Sequence, residues 1–151
     1  MTAALNKARG AQSAVFTKRR KQPEGIRDKA KFWAESNTQI AIVKFLRAAL
    51  PPSYRVISVP NGRFKADPVT ISRLKREGLT PGVLDLLVLR NDGWFCSLEV
   101  KASDGALSPE QVEWSDWLAA GGSSQAVVRS LDEAVAALRE FGVALRGRVA
   151  A

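Results

Sequence analysis

Histidine is absent from the 151 residues, and cysteine occurs once, at Cys96. The first absence removes Ser-His-Asp hydrolases, HNH-type nucleases and zinc hydrolases together, since each needs imidazole as base or ligand. The second removes disulfides and cysteine-based zinc sites, and makes a reducing cytoplasm the expected setting. No apolar run approaches the roughly 20 residues that span a bilayer, so no membrane partner is expected. Residues 1–31 also lack the apolar core of a secretory signal. Acidic residues are scarce in that same stretch. Lys7, Arg9, Lys18, Arg19, Arg20, Lys21, Arg27, Lys29 and Lys31 stand against Glu24 and Asp28 only, whereas the rest of the chain is nearly balanced. With few bulky apolar residues and no clear period, residues 1–31 read as a basic flexible arm before one domain, residues 32–151. A basic arm suits a polyanion, because neutralised phosphates release condensed counterions. A tail that only keeps the chain soluble has the same composition.

What is present is enough apolar residue, 46%, for an ordinary core. Ile40, Val43, Leu46 and Leu50, widened by Ile42, Phe45 and Ala49, predict a helix over Phe32–Leu50 that Pro51-Pro52 ends. Tyr54–Val59 reads as a strand, and Pro60-Asn61-Gly62 as a turn. Asp67-Pro68 supplies N-cap and N1 of a short helix closed by Gly78. Leu86-Leu87-Val88-Leu89, the turn Asn91-Asp92-Gly93 and the stretch Trp94–Lys101 make a hairpin. Ser108-Pro109-Glu110-Gln111 opens a further helix with a capping box. Its Trp114 and Trp117 are spaced for the core, and Gly121-Gly122 stops it. A strand over Ser124–Arg129 and a helix opened by Ser130 and Glu133 complete the chain. The order α, β, α, β-hairpin, α, β, α predicts an α/β fold of three layers, α/β/α, around a central mixed sheet. The hairpin is antiparallel, and the crossover makes the last strand parallel to its predecessor.

The chemistry gathers at the hairpin. Strand alternation puts Glu99 and Lys101 on one side, with Asp85 at the start of the neighbouring strand. Such charges are costly to desolvate unless they pair or hold something. Two carboxylates and a lysine suit a hard cation such as Mg²⁺. Glu35 has a bland role near a helix N-terminus, where the dipole favours a carboxylate, and a sharper one as a ligand reaching the sheet. Gln111 has a capping role and the alternative of pointing back at the sheet. Arg63, Lys65, Arg73, Lys75 and Arg76 form a basic surface that could hold a phosphodiester backbone or serve only solubility.

Asp85 followed by Glu99-x-Lys101, after a helix bearing Glu35, resembles the PD-(D/E)XK nuclease superfamily. Further matches narrow the resemblance to its VRR-NUC (virus-type replication-repair nuclease) family. They are Pro60-Asn61-Gly62, Leu74-Lys75-Arg76-Glu77-Gly78, Pro81-Gly82-Val83-x-Asp85-Leu86, Glu99-Val100-Lys101, Gly105, Leu107-Ser108 and Gln111. The similarity runs from about Phe32 to Phe141. It departs at Leu84, where the family usually has proline, a change that relaxes the backbone without removing a ligand.

The resemblance implies a restriction-endonuclease-like fold and a phosphodiester hydrolase. It also implies Mg²⁺ or Mn²⁺ held by Asp85, Glu99 and the Val100 carbonyl, with Glu35 acting directly or through water. Lys101 would orient or deprotonate the attacking water, and Gln111 would support it. DNA would be held by Asn61 with Arg63, Lys65, Arg73, Lys75 and Arg76, and by Lys18, Arg19, Arg20 and Lys21 of the arm. The implied activity is a structure-selective DNA endonuclease on Holliday junctions, flaps or other branched DNA. It would work as a homodimer in phage or bacterial replication, recombination or repair, in the bacterial cytoplasm if phage-encoded. A non-catalytic DNA-binding protein on the same fold is the alternative, and a third reading makes the acid-lysine pair an ordinary ion pair and the arm a solubility tail.

Overall fold

Among the described residues, short apolar runs bounded by turn residues produce four strands, and four helices precede, link and follow them. The computed structural model describes residues 26–59 and 67–147. The order is α1 (Ile26–Ala49), β1 (Tyr54–Ser58), α2 (Pro68–Arg76), β2 (Leu86–Arg90), β3 (Phe95–Val100), α3 (Pro109–Ala120), β4 (Ser124–Val128) and α4 (Leu131–Glu140). The strands lie in one sheet in sequence order. The β2–β3 pair is antiparallel and β3–β4 parallel, as the hairpin and the α3 crossover require, and β1 adds to β2 antiparallel. At the hairpin tip the Asp92 carboxylate accepts the Trp94 N–H at 3.1 Å, while Gly93 takes a φ of 92°. That is the turn chemistry expected there.

The sheet has two unlike faces. On one, Val56, Leu86, Val88, Leu98 and Val128 pack with Ile42 and Leu46 of α1 and Leu138 of α4. Each such side chain removed from water contributes about 1.5–3 kcal/mol. On the other face Glu99, Gln125 and Val127 meet α3, which buries none of its own residues fully. The fold is therefore the mixed-sheet α/β arrangement expected, with one heavy apolar layer and one thin layer. Among the described residues no helix is long and apolar enough to cross a membrane.

Four details differ from the sequence reading. Helix α1 begins at Ile26, six residues before the expected Phe32. Lys31 in this added stretch pairs with Asp104 at 2.6 Å, a tertiary contact that local patterning does not reveal. The buried stripe of α1 runs through Ile42, Leu46 and Ala49, while Ile40 is 62% exposed. Trp117, spaced for the core, is 67% exposed, and Trp114 is half-buried against it in an edge-to-face pair. Finally, Ser130 caps α4 as expected, but the Glu133 carboxylate reaches one residue further back, to the Arg129 N–H at 2.9 Å.

Candidate active site

Strand β3 carries Glu99 with its side chain toward α3. The parallel β4 holds the strand in register, through the Lys101 N–H donating to the Val128 carbonyl at 3.0 Å. Glu99 is 1% exposed and Asp85 4% exposed, so both carboxyls sit away from solvent. They are tied to each other's backbone. Asp85 Oδ2 accepts the Val100 N–H at 3.0 Å, and Glu99 Oε2 accepts the Asp85 N–H at 3.2 Å. This reciprocal clasp joins the end of β3 to the residue before β2 and orients both acids.

Lys101 brings its Nζ to 2.8 Å from Glu99 Oε1 and donates to Gln111 Oε1 at 3.0 Å. Gln111 closes the triangle by donating through Nε2 to Glu99 Oε1. The same Gln111 Oε1 accepts the Ser108 N–H at 2.9 Å, and Ser108 Oγ accepts the Gln111 N–H. The two roles foreseen for Gln111 are thus filled at once: the capping box fixes the rotamer that reaches the lysine. Burial, followed by the negative charge of Asp85, pushes the Glu99 carboxyl up from the ordinary glutamate range, with Lys101 pulling the other way. Two neighbouring acids in a desolvated place oppose each other's ionisation, the condition in which a cation is welcome.

Glu35 comes from α1. Its tenth position in the helix is too far from the N-terminus for the dipole to explain it, because that effect fades within the first turn. Its Oε1 instead accepts the Ala102 N–H at 3.0 Å, immediately after Lys101. The structure thus brings Glu35, Asp85, Glu99, Lys101 and Gln111 to one end of the sheet. It does not gather the acids tightly: among the described residues no three acidic side chains stand close enough together to hold a metal ion.

Two glycines let the pieces approach. A side chain at Gly82, whose φ is 83°, would come to 2.5 Å from the Glu110 backbone, so this loop lies directly on the first turn of α3. Trp114 secures the same contact by donating to the Pro81 carbonyl at 3.1 Å. A Cβ at Gly105 would meet the Lys101 Cβ at 3.0 Å, so Gly105 leaves room for the lysine stem. Arg129, which no motif singled out, donates to the Gly105 carbonyl at 3.2 Å and braces this loop. Only its position one residue past β4, beside the end of β3, could have pointed to it.

The expected DNA contacts fare differently. Arg73 pairs with Glu77 at 2.8 Å, one helical turn away. Lys75 and Arg76 are exposed on α2, a helix that buries none of its residues. Among the described residues no hydrogen bond or ion pair links these three to the acids. Lys18, Arg19, Arg20, Lys21, Asn61, Arg63 and Lys65 lie outside the described residues.

No family model matches the chain, and no curated protein matches it. Solved structures do. One, a VRR_NUC domain protein, superposes with a TM-score of 0.55 at 16% identity, over 71% of this chain and 86% of its own. Another, titled VRR_NUC domain, gives a TM-score of 0.49 at 22% identity over 71% and 95%. With its mixed four-stranded sheet flanked by helices, the chain has the α/β, restriction-endonuclease-like fold of a VRR_NUC domain.

Proposed function

We propose that this chain is a metal-dependent DNA endonuclease of the VRR-NUC family, selective for branched DNA such as Holliday junctions or flaps. It acts as a homodimer in the cytoplasm, that of the bacterial host if it is phage-encoded. The observation that carries this reading is the convergence of Lys101 and Gln111 on Glu99, with Asp85 clasped alongside and Glu35 anchored at Ala102. The donor set fits Mg²⁺ or Mn²⁺. Asp85 and Glu99 offer hard oxygen ligands, burial and then the charge of Asp85 already disfavour ionisation of Glu99, and the Val100 carbonyl lies between Glu99 and Lys101 in sequence. When bound, such a cation supplies Lewis-acid polarisation of the phosphoryl oxygen and lowers the pKa of water.

The chain's own residues do the rest. Lys101, steadied by Glu99 and Gln111, presents an ammonium that offsets charge developing on the phosphoryl oxygens and orients the attacking water. Gln111 positions Lys101 and Glu99 relative to each other. Glu35 holds the backbone after Lys101 and keeps one carboxylate oxygen for water or cation. Asn61, Arg63, Lys65, Arg73, Lys75, Arg76 and the arm residues Lys18, Arg19, Arg20 and Lys21 hold the DNA backbone.

The test is cleavage of labelled four-way junction, flap, splayed-arm, duplex and single-stranded DNAs with Mg²⁺, Mn²⁺ or EDTA. Lys101→Ala and Asp85→Asn run alongside. Metal-dependent cutting of branched DNA, reduced at least about 10²-fold in each variant, is expected. Binding without cutting under either metal would sink catalysis. It would favour the second reading, a DNA-binding protein on a nuclease fold, which draws on the looseness of the acid cluster.

A further inference from the structure

An open groove of about 500 Å³ runs between α1 and the edge strand β1. Ile40 and Val43 contribute apolar surface, and its polar atoms come from Ser36, Gln39, Lys44, Arg47 and Ser58. We infer that this groove holds the sugar-phosphate backbone of the nucleic-acid substrate, with Lys44 and Arg47 each neutralising a phosphate. The inference rests on the nuclease reading and adds to it the path of a strand away from the carboxylates.

Three observations carry it. The first is continuity. Glu35 directly precedes Ser36 and stands one turn before Gln39. On the opposite wall, Ser58 precedes Val59, whose N–H donates to the Asp85 carbonyl at 2.9 Å. The second is charge. Among the described residues no acid lines the groove, and Lys44 and Arg47 form no ion pair. The third is hydrogen-bond polarity. Gln39 Nε2 donates to Ser58 Oγ at 3.0 Å, which leaves the serine proton to donate outward. With Ser36, Lys44 and Arg47 the wall is rich in donors, while the Gln39 Oε1 acceptor is buried. A phosphodiester has only acceptors to offer and is the complement of such a wall.

The length also fits. Glu35 and Arg47 are twelve residues apart, about 18 Å at the rise of an α-helix. A duplex strand covers that span in about five nucleotides. The groove therefore contacts phosphates a few nucleotides from the scissile bond, and it touches backbone, not bases.

Binding of labelled duplex and junction DNA, followed by fluorescence anisotropy across a salt series in EDTA, tests this without cleavage. Lys44→Ala/Arg47→Ala is expected to lower the slope of log K against log salt by about 1.8, at about 0.9 per phosphate released. Lys44→Arg/Arg47→Lys is expected to keep the wild-type slope. Arg47 lies in the last turn of α1, where a cation also favours the helix. Lys44→Ala alone should therefore show about half the change if the double variant fails to fold. An unchanged slope in a wild type that binds DNA overturns the groove and spares the nuclease reading. A wild type that binds no DNA overturns both. A double variant that converts a dimer to a monomer in sedimentation would make the groove a contact between copies instead.

Discussion

The two faces of β3 carry neighbouring residues under opposite rules. Cys96, Leu98 and Val100 point into the layer formed by α1 and α4, where every neighbour in the cluster is apolar or aromatic. Ser97 and Glu99 are equally buried but point the other way, toward α3. There Glu99 finds Lys101, Gln111 and the Asp85 N–H, while the Ser97 hydroxyl has no partner among the described residues. The first face obtains its stability by excluding water. The second keeps costly polar groups under a helix that buries none of its own side chains fully. A strand made only for stability would not carry that second face, and this contrast locates the chemistry more sharply than any single residue.

The comparison predicts very unequal responses along one strand. Leu98→Ala should cost about 2–5 kcal/mol, the range for a buried leucine whose cavity cannot fully collapse. A loss below 1 kcal/mol in urea unfolding would mean the apolar face is not packed as described. Cys96→Ser comes next, at about 1–3 kcal/mol, because it places a hydroxyl where only apolar groups face it. Burial pushes the Cys96 thiol up to about 12. It should therefore resist alkylation in the native protein at neutral pH, and rapid labelling without unfolding would contradict its place in the core.

The polar face should reveal itself through pH. A carboxyl raised in the folded state, as Glu99 is, binds its proton more tightly there than in the unfolded chain. Its ionisation therefore opposes folding. In the protein without metal, the contribution of Glu99 to stability is therefore greatest below the ordinary glutamate value of 4.5 and is lost as pH rises through the raised folded value. Thermal melts in EDTA should show that decline, and Glu99→Gln should flatten it. An identical pH profile in the variant would remove Glu99 as its source.

The element order, the antiparallel hairpin and the parallel last strand could be read from turn residues and apolar runs, because those signals are local; the pairing of β1 with β2 could not, because it joins segments far apart in the chain. So could Glu99, Lys101 and Asp85, whose placement follows from strand alternation. Ile40 could not be placed, because Ile40, Val43 and Leu46 fit one helical stripe while Ile42, Leu46 and Ala49 fit another. Only the sheet decides which of them faces inward. Glu35 was visible as an acid on the right helix, yet the contact that fixes it is 67 residues away at Ala102. Trp117 shows the converse failure: helical spacing predicts burial only if something lies opposite, and α3 covers its face of the sheet thinly.

The smallest predicted effect is the most discriminating. Ser97 lies between Cys96 and Leu98 and is fully buried, so a uniform core would penalise any change there. Its hydroxyl pays for desolvation without a hydrogen bond among the described residues, and alanine removes that cost with almost no loss of volume. Ser97→Ala should therefore shift stability by no more than about 0.5 kcal/mol, or raise it slightly, while Leu98→Ala one residue on is severe. A loss above about 1 kcal/mol would show that Ser97 Oγ has a partner, such as an ordered water beneath α3. The two faces would then differ in what satisfies them, water on one and packing on the other.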